Sequence, residues 1–311
     1  MINDSIFQQL IKTKYRLEGK TRVWDLSDSK LWYLTPKQAQ GFLDLENNIN
    51  YSKSLTENEI NLIDSNFNEI LVKLRAKAYN IVDIGCGDGK KASLFIKKLS
   101  NHFNIRYCPI DISSYMVKKA SENIRKLKVS EVVELNWNIS DFENLENVTS
   151  LFRDSNFKRN IYLFLGNTMG NFKGDIILQA IRKSMKKGDI LIIGNGIYNP
   201  EFDEVSSYKT KEIDNFLYPM INLISLKKED INFDCRFIEK ESRIEMFYVL
   251  NKNKTITNNN QKIEFKKGDY IVTGISYKYS KPIFKKILNK FFNTKVFFDK
   301  DETYALSLCG V

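Results

Sequence analysis

Between residues 78 and 200, short apolar runs alternate with segments of helical period. NIVDI (80–84) is a β-branched run that stops at GCGDGKK and leads into ASLFIKKL, where Ala92, Leu94, Phe95 and Leu99 recur at helical spacing. The pattern predicts strand, glycine loop, helix. It repeats through IRYCPIDI (105–112), SSYMVKKASENIRKL (113–127, with Ser113 or Ser114 as N-cap), VVELNWNI (132–139), IYLFLG (161–166), DIILQAIRKSM (175–185) and DILIIGN (189–195). Strands alternating with helices predict an α/β fold, a mostly parallel sheet with helices on both faces.

After Asn195 the pattern changes. A tyrosine-rich, acidic stretch with one helix near 205–225 precedes strand-like pieces, RFIEK, RIEMFYVL and KIEFKKGDYIVTGISYKYS, while NKNKTITNNNQK (251–262) reads as an exposed hairpin loop. Near 281 the first pattern resumes with the helix KPIFKKILNKFF and the strands KVFFDKD and TYALSLCGV. Two closing strands after a last helix fit a hairpin whose final strand runs antiparallel in a seven-stranded, Rossmann-like sheet. Residues 57–199 plus 280–311 are expected to form this domain, and 1–56 plus 200–279 an α+β second domain. In the N-terminal segment Trp24 and Trp32-Tyr33 mark aromatic clusters, and Thr35-Pro36 predicts a helix start.

Composition narrows the chemistry. The 311 residues are 42% hydrophobic and 13% aromatic, enough to build cores. The net charge of +10 would suit an anionic partner, but the lysines occur in pairs among acids without a run of five or six, which weighs against nucleic acid. Four cysteines without CxxC spacing and a single histidine, His102, argue against a zinc site and against a histidine-based hydrolase. The N-terminus lacks the apolar stretch of a secretion signal, so a reducing, cytoplasmic location is expected, away from any membrane.

The glycine loop points to a nucleoside cofactor. Gly85, Gly87 and Gly89 in DIGCGDGKK let the backbone turn sharply at the end of the first strand. Asp111 ends the second strand, 28 residues after Asp83, where a carboxylate can take both hydroxyls of a ribose. Asp141-Phe142 follow the third, where an acid and an apolar wall can meet an adenine. Asp83, the three glycines, Asp111, Ser113, Asp141 and Phe142 form the candidate cofactor set. GCGDGK has GxGxG spacing rather than the GxGxxG of dinucleotide sites, and no GxxxxGK[ST] occurs, which favours S-adenosylmethionine. No metal site is expected.

FLGNTMGNF (164–172) follows the fourth strand, beside the cofactor, where an acceptor must lie; Gly166 and Gly170 permit close approach and Asn167 and Asn171 supply amides. The Asn/Asp-Pro-Pro-Tyr/Phe motif of many nucleobase and glutamine methyltransferases is absent.

VDIGCGDGKK, YCPIDIS, DFENL, LFLGNTMGNF, SRIEMFYVL and ETYALSLCG together resemble the histidine Nα-methyltransferase family of ergothioneine biosynthesis, which includes dimethylallyltryptophan N-methyltransferases. The resemblance spans about Tyr33 to Val311 and implies a class I methyltransferase fold with a second domain. It implies that Gly85 and Lys91 lie near the methionine part of the cofactor, Asp111 at the ribose and Asp141-Phe142 at the adenine. It further implies that Tyr33 of WYLT, Gly166, Asn171, Tyr208, Met246 of RIEM and Ser276 of GISYK line the acceptor. The histidine enzymes carry a glutamate two residues before that serine to bind the imidazole; Gly274 stands there, which weighs against L-histidine.

The expected enzyme is therefore an S-adenosylmethionine-dependent N-methyltransferase acting on the α-amino group of an amino acid or a derived small molecule. Asn171 and Tyr208 would hold the carboxylate and Tyr33 would orient the amine. The alternative acceptor is a peptide, a guanidine or another amine natural product, with Gly274 leaving space for a longer side chain; RNA is a more distant one. A monomer or weak dimer is expected.

Overall fold

The computed structural model describes residues 3–47, 49–129 and 131–311; for residues 49–56, Trp137 and Glu143 it describes the backbone alone. The chain divides into two compact units, Met1–Leu45 with Pro200–Lys278, and Glu46–Asn199 with Tyr279–Val311. Residues 46–56, grouped by the sequence pattern with the N-terminal segment, fall in the larger unit. Most of them open one continuous helix, Ile49–Leu71, which a boundary at 57 would cut in two.

The larger unit is built on seven strands: β1 Ala78–Ile84, β2 Asn104–Ile110, β3 Glu131–Val132, β4 Arg159–Phe164, β5 Ile190–Gly196, β6 Asn293–Phe298 and β7 Tyr304–Gly310. Their order across the sheet is β6-β7-β5-β4-β1-β2-β3. All are parallel except β7, which pairs antiparallel with both β5 and β6. This strand order with an antiparallel β7 is the class I methyltransferase sheet. β1, β4 and β5 are buried along nearly their whole length, as strands covered on both faces must be. On one face Ile81, Ile161, Ile192 and Leu306 pack with Leu62, Ile63, Phe67 and Ile70 of helix 49–71 and with Phe95, Ile96 and Leu99 of helix Lys90–Leu99. Residues of opposite parity, Val82, Tyr162, Leu191 and Ile193, are equally buried.

The third strand departs from expectation. Of VVELNWNI only Val132 joins the short strand, Glu131–Val132; the rest forms a 3-10 turn at Asn136–Asn138 and a single parallel bridge between Asp111 and Ile139. The cause is Asn138, whose buried amide donates to the Pro109 and Val133 carbonyls and accepts from the Leu135 N–H at 2.6 Å. A side chain that offers the backbone such partners competes with a strand ladder.

In the smaller unit a five-stranded sheet runs in the order 15–18, 21–25, 270–277, 243–250, 231–238. The expected single helix is two, Glu204–Tyr208 and Lys211–Asn222, because Thr210 leaves the helical region and caps the second through the Ile213 N–H. The expected loop at 251–262 is itself a hairpin. Lys254–Asn258 pairs with Gln261–Phe265 around Asn259 and Asn260, at φ +47° and +62°, the doubly left-handed turn that asparagine tolerates. Thr35 accepts from the Gln38 N–H at the start of helix Pro36–Glu46, as its Thr-Pro signature predicts. The four cysteines are buried thiols, and no helix among the described residues is long and apolar enough to cross a membrane.

The packing predicts a sharp contrast within the larger unit. Phe95→Ala, at a fully buried ring, should cost about 3–5 kcal/mol in urea unfolding followed by circular dichroism. Ile176→Ala, at a residue 66% exposed, should change stability by less than about 0.5 kcal/mol.

Candidate active site

At the carboxyl end of β1 the chain alternates through left-handed positions, Gly85, Gly87 and Gly89 having φ of +68°, +52° and +76°. Each glycine has its own reason. A Cβ on Gly85 would lie 2.8 Å from Thr168 Cγ2, and one on Gly89 would lie 3.2 Å from Ala120 Cα, so these two are packing glycines. Around Gly87 nothing lies within 4 Å of such a Cβ, so this side of the loop is open. The Gly85 and Cys86 N–H groups donate to the Ile110 carbonyl, tying the loop to the end of β2, and Asp88 accepts from the Lys90 N–H at the start of the following helix.

Asp111 stands next to that loop. Its carboxylate accepts the Gly87 N–H at 3.3 Å and the Ser113 N–H at 2.9 Å. Burial pushes its carboxyl up to about 6, against the pull of these N–H groups. The backbone of Asp111 pairs with Asn138 and Ser140, which sets Asp141 and Phe142 beside it. Both are half-buried, and the Phe142 ring packs edge-on against Phe172 and Phe164, with centroids at 5.0 and 5.9 Å. Ser113 is the N-cap of helix Ser114–Arg125. Asp83 lies deeper, its carboxylate accepting from the Tyr107 hydroxyl at 2.7 Å; burial raises it to about 7.

Lys91 is partly enclosed. Its ammonium pairs with Glu46 at 2.5 Å and lies so close over Gly166 that a Cβ there would collide with it. Although burial lowers the ammonium's pKa, Glu46 and Glu59 raise it further. Glu59, on helix 49–71, is 1% exposed and accepts from the Gly166 N–H at 2.9 Å and from the Tyr304 hydroxyl at 2.7 Å. Neither glutamate was among the candidates. The signal for Glu59 was a carboxylate on the apolar stripe, three and four residues before buried Leu62 and Ile63.

The acceptor loop turns at Gly166 and Asn167, both left-handed, and the Asn167 amide accepts from the Gly196 N–H at 2.9 Å, fastening the loop to β5. Asn171 closes the 3-10 turn Thr168–Asn171 and is half-buried. The larger unit thus brings together the predicted glycines, Lys91, Asp111, Ser113, Asp141, Phe142, Gly166 and Asn171 at the carboxyl edge of one sheet.

The other candidates lie in the smaller unit. The Tyr208 and Ser276 hydroxyls are 2.8 Å apart. Lys278, 2% exposed, reaches over the Tyr208 ring at 5.5 Å from its centroid and lies 3.6 Å from Glu204. Burial works against its charge, but Tyr208 and Glu204 hold its pKa up. Met246 pairs in register with Gly274. A Cβ on Gly274 would lie 2.9 Å from Met246 Cε and 3.0 Å from Trp32 Cζ2. The expected free space at Gly274 is therefore filled: Trp32 lies on it, its indole N–H donating to the Thr273 carbonyl at 2.7 Å. Tyr33 is half-buried in an aromatic group with Trp32, Phe42 and Phe216. In RIEM, Glu245 points to the opposite face, where Arg16, Arg236 and Arg243 converge on it.

Among the described residues no group of His, Cys, Asp and Glu could hold a metal ion. No curated protein sequence matches this chain. Solved structures to which this chain is similar include the PH0226 protein of Pyrococcus horikoshii OT3 (14% identity, TM-score 0.42, covering 80% of this chain and 89% of that one). Streptomyces venezuelae DesVI (10%, 0.40, 90% and 99%) and PigF with SAH (12%, 0.46, 92% and 62%) are similar too. The sequence model of the histidine-specific, SAM-dependent methyltransferases matches residues 50–311, and with it this chain belongs to that family and is an S-adenosylmethionine-dependent methyltransferase.

Proposed function

We propose that the chain methylates the α-amino group of an amino acid, or of a small molecule derived from one, and that the acceptor is not histidine. The observation that carries this reading is the Tyr208–Ser276 hydroxyl pair beside the buried Lys278 ammonium, a donor cluster suited to a carboxylate, on the sheet face that also carries Met246 and Trp32. A charge-assisted hydrogen bond to a carboxylate contributes about 1.5–3 kcal/mol.

The residues present fit the family's cofactor. The open side of Gly87 allows close approach of a ligand, and the adjacent Asp111 carboxylate is placed to accept ribose hydroxyls. Phe142 offers an apolar wall and Asp141 an acceptor for an adenine, Ser113 fixes Asp111 through its N–H, and Lys91 belongs at the methionine end. When bound, S-adenosylmethionine supplies an electrophilic methyl group whose displacement leaves a neutral thioether, so the leaving group needs no proton. The protein's task is to position the amine and keep it neutral. A free α-amino group has a pKa of about 8, which desolvation lowers. Tyr33 is proposed to orient the amine lone pair, Gly166 and Asn171 to contact the amino-acid backbone, and Tyr208, Ser276 and Met246 to hold the carboxylate and side chain.

Tyr208→Phe should raise the acceptor KM about tenfold in methyl-transfer assays while leaving S-adenosylhomocysteine affinity unchanged; an unchanged KM would remove Tyr208 from the acceptor site. The affinity for S-adenosylhomocysteine, measured by calorimetry, should weaken as pH falls through about 6, where Asp111 takes up a proton and loses its charge. A raised carboxyl pKa favours the folded state at low pH, so this loss is not unfolding through Asp111. Asp111→Asn should bind weakly and lose that pH step. Gly274→Glu should not create histidine methylation, because Met246 and Trp32 occupy the space; gain of that activity in a panel of free amino acids would contradict the packing.

A further inference from the structure

Outside the predicted set, the most unusual group in the larger unit is the Glu59 carboxylate. Helix 49–71 presents Leu62, Ile63, Phe67 and Ile70 to the sheet, and Glu59 sits on that same stripe at 1% exposure. An apolar residue there would be buried at lower cost, since an isolated buried carboxylate is penalised by several kcal/mol. The surrounding structure is shaped to receive the charge. A Cβ on Gly194 of β5 would collide with Glu59 Oε1, and a Cβ on Gly166, in the loop after β4, would collide with the Lys91 ammonium, so two backbone positions are left clear for these charged groups.

We infer that Glu59 is a positioning residue of the methyl-transfer site: its buried carboxylate holds the N–H of Gly166, the backbone position over which the Lys91 ammonium lies, paired with Glu46. The inference rests on the proposed placement of Lys91 and Gly166 in that site. Both Glu59 oxygens lie within reach of the Gly166 N–H, at 2.9 and 3.2 Å, and Tyr304, the first residue of β7, donates to Oε1 at 2.7 Å. Gly166 is the left-handed residue at which β4 turns into the acceptor loop, so anchoring its N–H fixes where that loop departs. Lys91 lies in the first turn of the helix that follows the glycine loop, and Glu46 lies 2.5 Å from its ammonium. Glu59 therefore links the loop after β4 and the start of β7 through one side chain, and Gly166 in turn packs against Lys91 from the helix after β1. The charged and titratable groups facing it are Lys91, Glu46 and Tyr304; burial pushes its pKa up, and Lys91, the Gly166 N–H and Tyr304 pull it down.

The test is calorimetric titration of S-adenosylhomocysteine into the wild type, Glu59→Gln, Lys91→Met and the double variant, with thermal melts of each. Glu59→Gln should weaken binding about tenfold, and Lys91→Met should weaken it at least as much. The double variant should bind no more weakly than Lys91→Met alone, because the carboxylate and the ammonium act on the same backbone position, Gly166. Wild-type affinity in Glu59→Gln, or losses that multiply in the double variant, would overturn the role of Glu59 while leaving Lys91 in the site. Wild-type affinity in Lys91→Met would overturn the placement of Lys91 and the inference with it. Should Glu59→Gln not fold, Tyr304→Phe removes one donor to the same carboxylate and keeps its charge. The ratio of its Kd to that of the wild type should grow as the pH is lowered, as the less supported carboxylate takes up a proton more readily; a ratio independent of pH would overturn the inference.

Discussion

β1 has β2 on one side and β4 on the other, so the loops that leave β1 and β4 at the carboxyl edge run in opposite directions and leave the crest between them uncovered. This is the point at which open α/β sheets bind ligands. Everything placed there must come close to backbone, and close approach is a steric constraint before it is a chemical one. Gly85, Gly89, Gly166 and Gly194 each stand where a Cβ would meet another group at or inside contact distance, while Gly87 alone in the loop faces open space. The chemistry of the edge depends on that division between filled and open glycine positions.

The same crest concentrates charge out of water. Asp83 and Asp111 are buried at or next to strand ends and Glu59 on the helix packed beside them, while the nearby Lys91 cation is only partly enclosed. Hydrogen bonds divide their tasks. Asp83 takes the Tyr107 hydroxyl and fastens β2 to β1, Asp111 is turned by two N–H groups of the loops around it, and Glu59 ties together elements far apart in sequence. Burial raises the pKa of all three, so each keeps its charge only as far as the hydrogen bonds around it allow.

Much of this was legible in the sequence where the physics is local. The run NIVDI before GCGDGKK fixes strand and loop within a few residues, Ser113 caps its helix, Thr35-Pro36 starts another, and the apolar alternation of TYALSLCGV places a last strand. What stayed hidden depends on contacts between distant segments. VVELNWNI reads as a strand because nothing in it reveals that the Asn138 amide will find the carbonyls of Pro109 and Val133. Glu59 is one acid among many in ENEINLIDSNFNE until the helix is docked and its stripe defined. Gly274 reads as an absence of side chain, hence as space, and the structure reverses that reading, because the volume belongs to Trp32, some 240 residues earlier in the chain.

That packing has an evolutionary consequence. A Cβ at position 274 would press on the Met246 methyl at 2.9 Å and the Trp32 indole at 3.0 Å, so the three positions do not drift independently: a larger residue at 274 requires the thioether and the indole to give way. A change at any one of them is felt first as packing, at the other two.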